Sequence, residues 1–389
     1  MTKKWSSRLT FFAFVVLMVG LGSNDSLRGI FSTIFQEHFS LTTTQLGLIV
    51  TASYIGNLVF LLVGGNLSTR FSKKRVLQVL ILIWMAALAL FAFTSNYTVL
   101  LIGMALALGS STLLNTTMNL ITPLLFATAP GFFVNFLFFT QEIGTSGSQY
   151  ILGSHADGFA FWQHTNLVLL ILGAVAFMLL LFCNVPEEAA DPADTPAQKG
   201  GYDWRIIVPY VLVFGFYFIA EHGVMNWMVA YGVDGLGLPQ ASAAKYLSVF
   251  FGGMMIGRLC LSPLVDKLGA LKSLAAFGGV SCVLYLIGSL GGAVTMPVWA
   301  ISGLSFSILY PTLVMSIRLY FPAQQVSGAA GTILSIASLA DILFNVGFGK
   351  LVDMAGYAVS IRVLPLSVLA FFIVFMLFTK FCKPTQKLK

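Results

Sequence analysis

The sequence predicts an all-α membrane protein of twelve transmembrane helices, arranged as two six-helix pseudo-repeats. Three observations carry that prediction. Of the 389 residues, 58% are hydrophobic and only 9% are charged. Apolar runs of roughly 20 residues, the length that crosses a bilayer core, recur along the whole chain. The basic residues gather in alternate loops, as the orientation rule for membrane helices requires. Soluble domains carry about 25% charged residues, and a mean hydropathy of +0.90 leaves no water-facing surface to build. In a soluble chain, 21 basic against 14 acidic residues would hint at nucleic acid. Here the excess sits in short loops, so nucleic-acid binding is excluded.

Taken in order, the spans fall near 9–35, 45–66, 75–94, 97–126, 131–153, 163–184, 204–231, 240–264, 271–291, 295–319, 326–350 and 358–381. The first follows a short basic start (Lys3, Lys4, Arg8) and has full length with no small-residue cleavage site, so it reads as a spanning helix and not a removed leader. The second and third are separated by Arg70, Lys73, Lys74 and Arg75, and the eighth and ninth by Lys267 and Lys272. The loops Glu37–Thr44, Thr94–Tyr97 and Ser154–Gln163 contain no Lys or Arg, and the twelfth span is followed by Lys383, Lys387 and Lys389. Both termini are therefore expected to be cytoplasmic, in a protein integral to the cytoplasmic (inner) membrane. The four cysteines (Cys183, Cys260, Cys282, Cys382) lie in or beside apolar runs without metal-ligand spacing and read as small buried hydrophobes.

An acidic, Pro/Ala-rich stretch from Pro186 to Pro196, followed by Lys199-Gly200-Gly201, reads as a flexible linker. It divides the chain into a six-helix bundle at 1–185, a linker at 186–203 and a second six-helix bundle at 204–389. A weak repeat relates the halves: Gly56 to Gly253 and Thr69 to Asp266 share one offset, 197 residues. Repeated halves joined by a central loop describe a secondary transporter with its site near the membrane midplane.

The repeated basic turn resembles the loop signature G-x-L-x-D-R-x-G-R/K of the major facilitator superfamily. The first copy has Gly65, Leu67, Arg70 and Lys73 in place, with Thr69 for the Asp and Ser72 for the Gly; the second restores Asp266, Lys267 and Gly269. The resemblance implies the major facilitator fold and assigns these turns to conformational switching. Further stretches are similar to the fucose permease branch, the fucose–galactose–glucose:proton symporters. They are Gly20-x-x-x-Asn24-Asp25, Ser53-Tyr54-Ile-Gly56, Tyr217-x-x-x-Glu221-x-x-x-x-x-Trp227-x-x-x-Tyr231 and Tyr310-Pro311-Thr312-x-x-x-Ser316. That branch places a protonatable Glu four residues before an Asn in the fourth span. Here Asn119 fits the Asn, but Asn115 stands at the Glu position. Asn cannot titrate, which leaves Glu142 on the neighbouring span to take the role.

A charge at the bilayer centre costs roughly 2.5–3.5 kcal/mol on insertion scales, so each one needs a reason. Asp25 and Arg28 share a face of the first span, either as a self-neutralising pair or as a pair touching cargo. Glu142 lies about 16 Å into the fifth span, in a polar stripe with Gln141, Gly144, Thr145 and Ser148. Glu221 carries the motif match in the seventh span. His222 faces about 100° away from it and reads as a packing residue. Asp341 has Asn345 one turn on; it is either a partner of Arg258 or a second titrating site.

The expected substrate contacts are Asp25, Arg28, Asn115, Asn119, Gln141, Glu221, Asn226 and Trp227, with Asn135 as further polar company. Glu142 and Asp341 are the expected proton-coupling carboxylates. Amides suit sugar hydroxyls and an aromatic plane suits a sugar's C–H face, although Asn and Gln also glue membrane helices together. With no P-loop, no catalytic triad and no metal-ligand spacing, the expectation is no enzyme, no cofactor and no metal. The energy source is then the transmembrane proton gradient. The expected partners are a small-molecule substrate and the lipid bilayer, and the expected state is a monomer. A drug efflux antiporter remains open on the strength of 35 Phe residues. An organic-anion carrier remains open on Arg28 and Arg258, and a non-transporting sensor is a third class.

Overall fold

The structure, a computed structural model, describes residues 3–126, 130–183, 185 and 203–384. Among these residues every element is helical, and eleven helices are long and apolar enough to cross a membrane. The helix Pro130–Ile151 has similar length but carries Gln141, Glu142 and Gln149 in its second half. By packing, the chain falls into two compact units, Met1–Ala190 and Asp191–Lys389. The expected linker lies outside the described residues except for Asp203. At the far end the Asp203 carboxylate accepts from the Arg205 N–H at 2.9 Å and caps the next helix.

The first unit contains α1 (Lys3–Ile30), α2 (Ser32–Phe39), α3 (Thr43–Arg70), α4 (Lys73–Phe93), α5 (Tyr97–Leu125), α6 (Pro130–Ile151) and α7 (Phe159–Leu181). The Phe31 N–H donates to Leu27 O and the Phe35 N–H to Phe31 O, so α1 and α2 continue one ladder and together form the first predicted span. Polar residues set where the helices start. The Thr42 N–H donates to Gln45 Oε1 at 2.9 Å and the Gln45 N–H to Thr42 Oγ1 at 3.2 Å, a reciprocal cap on α3. Ser72 caps α4 and Asn96 caps α5. Lys74 Nζ reaches from α4 to the end of α7, donating to the carbonyls of Leu181 at 3.1 Å and Cys183 at 2.7 Å. These are acceptors that a helix end leaves open.

Between lipid-facing helices there is little hydrophobic drive, so close approach of small residues and interhelical hydrogen bonds hold the unit together. At the crossing of α1 and α6, a methyl group on Gly22 would overlap the Gln141 carbonyl, and one on Gly144 would overlap the Val19 carbonyl. Thr145 Oγ1 donates to Gly22 O at 3.2 Å and Ser23 Oγ to Gly144 O at 3.3 Å across the same crossing.

The second unit contains α8 (Trp204–Ala230), extended by a π-helical turn (Tyr231–Gly235), then α9 (Gln240–Leu268), α10 (Ala270–Leu290), α11 (Met296–Ile301), α12 (Gly303–Phe306), α13 (Leu309–Ser316), α14 (Ala323–Ala355), α15 (Tyr357–Ser360) and α16 (Val363–Phe381). The tenth span, expected as one run at 295–319, is divided into α11, α12 and α13. Hydroxyls of Ser302, Ser305 and Ser307 each bond a carbonyl three residues back, which competes with the helical ladder. Gly303 is pressed against the Phe250 backbone of α9. Restarting at Leu309 puts Pro311 in a first turn, where its missing N–H leaves no bond broken.

The two basic turns differ where the signature differs. Ser72 keeps an extended backbone (φ −58°, ψ 138°) and caps α4 through its hydroxyl. Gly269 takes φ 81°, a region that favours glycine, between α9 and α10. Lys73 opens α4 and Lys267 lies in the last turn of α9. The surroundings of Gly65 and the side chains of Arg70, Asp266 and Asn135 lie outside what is described.

Candidate functional site

Within the first unit the polar residues of three helices converge. Asp25 on α1 accepts from Ser111 Oγ of α5 through Oδ2 at 3.2 Å, while its buried Oδ1 has no partner among the described residues. Arg28 is buried, with its guanidinium carbon 5.6 Å from the centre of the Tyr54 ring on α3. It acts on Asp25 through space, as the three-residue spacing anticipates. Its Nε has no partner among the described residues either. One residue before Asp25, Asn24 Oδ1 accepts from the buried Trp84 indole at 3.3 Å, which fixes the orientation of α1.

Beside them runs a row of amides. Asn119 Nδ2 donates to Asn115 Oδ1 at 2.6 Å, and Asn115 Nδ2 donates to Gln141 Oε1 at 2.7 Å, joining α5 to α6. Asn119 Oδ1, at one end of the row, is buried without a partner among the described residues. The glycine contact between α1 and α6 sets the height of Gln141, because the Gln141 carbonyl is what Gly22 touches. Glu142, partly exposed, follows Gln141 and so points about 100° round α6.

Ser111 is not among the sequence candidates. Ser111, Asn115 and Asn119 repeat every four residues, and that spacing places them on one face of α5.

In the second unit, α8 meets α14. His222 Nδ1 and Asp341 Oδ2 are 2.6 Å apart, with Asp341 2% exposed and His222 25% exposed. Asn345 Nδ2 donates to Asp341 O at 2.9 Å and, more weakly, to Asp341 Oδ1 at 3.4 Å. The fully buried Trp227 indole donates to Asn345 Oδ1 at 3.0 Å, and Asn226 is buried beside it. His222, which reads from sequence as packing, is thus a partner of Asp341; the neighbour spacing on α8 says nothing about α14.

Glu221 faces a different company. Its charge bears on the hydroxyls of Tyr217, Tyr285 and Tyr310, and that of Arg258 bears on Tyr217 and Tyr310. Tyr217 stacks on Phe306 with ring centres 4.9 Å apart, and Tyr285 OH donates to Ala220 O at 3.0 Å. Arg258 also borders a cleft of about 140 Å³ with Ser262, Thr312 and Met315. The structure therefore brings Asp25, Arg28, Asn115, Asn119 and Gln141 together in the first unit, while in the second it links Trp227 to Asp341 through Asn345, with Asn226 buried beside Trp227, and sets Glu221 apart among tyrosines.

Residues 10–343 match the family model of the Major Facilitator Superfamily. The chain belongs to that superfamily. As a Major Facilitator protein it is an integral, multi-pass membrane transporter and not an enzyme. It is 24% identical over 333 residues to the L-fucose-proton symporter of Escherichia coli (strain K12), covering 74% of this chain and 75% of that one. It is also 24% identical over 297 residues to the cis,cis-muconate transport protein of Acinetobacter baylyi, covering 71% and 70%. The solved structure of a D-xylose-proton symporter superposes with a TM-score of 0.78 at 16% identity, over 99% of each chain, which shows the shared fold. The fucose-branch motifs are thus accompanied by similarity along most of the sequence.

Proposed function

We propose that this Major Facilitator protein is a secondary active transporter that carries a small polar solute, a sugar, inward with protons by alternating access. The observation that carries this reading is the first unit's polar cluster. Asp25 Oδ1 and Asn119 Oδ1 are buried acceptors without partners among the described residues, next to an amide row ending at Gln141. A sugar hydroxyl both donates and accepts, so a ring of hydroxyls satisfies such a set, and an unpaired buried acceptor costs about 1–3 kcal/mol until something does. Asp25, Arg28, Asn115, Asn119 and Gln141 contact the cargo in this reading, as does Glu221. The second unit's share in this reading also includes Asn226 and Trp227, which are closed off in this structure, with the Trp227 indole bonded to Asn345. The similarity to a fucose-proton symporter supports both the sugar and the proton.

Glu142 and Asp341 are the proposed proton-coupling carboxylates. The two basic turns (Gly65, Arg70, Lys73 and Asp266, Lys267, Gly269) are the proposed switch, in a monomer with bundles at 1–185 and 204–389 joined by 186–203. The basic N-terminus and C-terminus support a cytoplasmic side for both ends, in a cytoplasmic (inner) membrane.

One observation favours a second reading, an organic-anion carrier. The muconate transport protein shares the same 24% identity as the fucose symporter, over a somewhat shorter stretch, and Arg28 Nε is a buried donor without a partner among the described residues. Proteoliposomes loaded with an internal pH dye and challenged with hexoses, deoxyhexoses and dicarboxylates separate the two. Sugar-dependent acidification supports the sugar symporter. A response to dicarboxylates alone transfers the function to Arg28, and silence across the sugars overturns the sugar reading.

A further inference from the structure

We propose that Arg28 is a specificity-determining residue of the first unit's site and selects a cargo that carries a carboxylate as well as hydroxyls, a sugar acid such as a hexuronate. This rests on the sugar reading above and names the cargo more closely. A guanidinium cannot be deprotonated in a protein and has five N–H donors fanned in one plane. The charge on Arg28 is therefore fixed, whatever the state of the acids around it. Arg28 is 6% exposed, and its Nε has no partner among the described residues. A fixed cation enclosed in a membrane helix calls for an acceptor.

The neighbouring carboxylate does not supply one directly. Asp25 and Arg28 share a face of α1, yet their side chains engage different helices. Ser111 Oγ of α5 holds Asp25 Oδ2 at 3.2 Å, and Asp25 Oδ1 has no partner among the described residues. The Arg28 guanidinium lies instead over the Tyr54 ring of α3, its carbon 5.6 Å from the ring centre. That contact attracts the charge through the π face and brings no acceptor oxygen to the N–H groups.

The unmet groups of this unit complement one kind of molecule. Asp25 Oδ1, Asn119 Oδ1 and Asn57 Oδ1 are buried acceptors without partners among the described residues. Asn57 follows Tyr54 by three residues and so shares its side of α3. All three side chains belong to partly exposed residues, within reach of a solute. A hydroxyl can donate to each of them. The guanidinium fork suits a carboxylate, whose two oxygens accept parallel bonds from it. A plain hexose serves the acceptors and gives the fork only neutral oxygens. A dicarboxylate without hydroxyls serves the fork and leaves the acceptors unmet. A polyhydroxylated carboxylate satisfies both. Asp25 opposes an anionic cargo in so far as it is ionised, and comparison of charged with uncharged ligands measures which of the two residues governs.

The test is equilibrium binding to the full-length protein in nanodiscs. The ligands are glucose, galactose, their uronates, the uncharged methyl esters of those uronates, and adipate as a dicarboxylate without hydroxyls. The uronates are expected to bind about tenfold or more tightly than the parent hexoses, the worth of a charge-assisted hydrogen bond. The esters are expected to fall back to the hexose level. Arg28→Gln is expected to bring the uronate-to-hexose ratio to about one, and Arg28→Lys, which keeps the charge and loses the fork, to a value between. The ester comparison needs no variant, so it decides the matter even where Arg28→Gln fails to fold. Hexoses that bind as tightly as their uronates would overturn the inference and leave the sugar reading standing. A ratio unchanged in Arg28→Gln would also overturn it. Adipate bound as tightly as the uronates, or no binding by any sugar or uronate, would overturn the inference and the sugar reading together.

Discussion

His222 and Asp341 are 119 residues apart in the chain and 2.6 Å apart in space, which makes them a polar fastening between α8 and α14. The fastening continues to Asn345, which is held mainly by the Asp341 backbone carbonyl at 2.9 Å and in turn accepts from the Trp227 indole.

Removing that carboxylate weakens the fastening. Asp341→Ala takes away the carboxyl that His222 Nδ1 bonds and the weaker contact of Asn345, and the loss of such a hydrogen bond costs about 1 kcal/mol. Thermal unfolding in detergent is expected to show Tm lowered in Asp341→Ala and by less in Asp341→Asn, which keeps an acceptor. Equal Tm values for wild type and Asp341→Ala would mean that the pair contributes no stability.

The Ser111–Asp25 bond predicts a graded loss of cargo affinity. Ser111→Ala removes one donor to the carboxylate and is expected to raise KM about fivefold, equivalent to roughly 1 kcal/mol. Asp25→Asn changes the charge as well as the bonding and is expected to raise KM by more than tenfold, since bonds to charged groups are worth about 1.5–3 kcal/mol. Sugar uptake kinetics in proteoliposomes measure both.

Asn115→Glu should make transport depend on pH in a defined direction. The native amide donates to Gln141 and accepts from Asn119. A protonated carboxyl at this position does both; an ionised one keeps only the acceptor and repels Gln141 Oε1. Uptake by this variant is therefore expected to approach wild type at low pH and to fall as pH rises through the titration of the introduced carboxyl. A pH profile identical to wild type would show that the amide row has no part in transport.

At the two basic turns, equivalent positions should respond differently. Gly269 has φ 81°, so Gly269→Ala forces an L side chain into the left-handed region, at about 1–2 kcal/mol. Ser72 is extended and acts through its hydroxyl, so Ser72→Gly is expected to cost only a few tenths of a kcal/mol and Ser72→Ala about 1 kcal/mol. Thermal stability of the three variants in detergent gives the comparison, and a tolerant Gly269→Ala would contradict it.

The spans are legible in the sequence because apolar length and basic loops are enforced by lipid itself. The division of the tenth span is not, since an apolar average hides serine hydroxyls that bond backwards and a glycine pressed on a neighbour. Asn115, Asn119 and Gln141 stand out because amides are costly in such runs, and the structure joins them. Ser111 escapes notice because a lone serine is ordinary in a membrane helix; only its four-residue spacing from Asn115 marks it. His222 reads as packing because periodicity reports which face of α8 it occupies and nothing about the helix opposite. Trp227 is expected as a ring for cargo, yet its indole is fully buried and its N–H is committed to Asn345.

The amide row has a property beyond its capacity to bind. Each link has a sense: Asn119 gives to Asn115, and Asn115 gives to Gln141. Turning over a single amide sets two oxygens or two N–H groups against each other, so the row is satisfied only when all three point one way or all three point the other. It is a one-bit store. A hydroxyl that gives to Asn119 Oδ1 matches the present sense, and one that competes to receive from Asn119 Nδ2 favours the reverse, so an event at α5 is written into the orientation of Gln141 on α6 without any helix having to move.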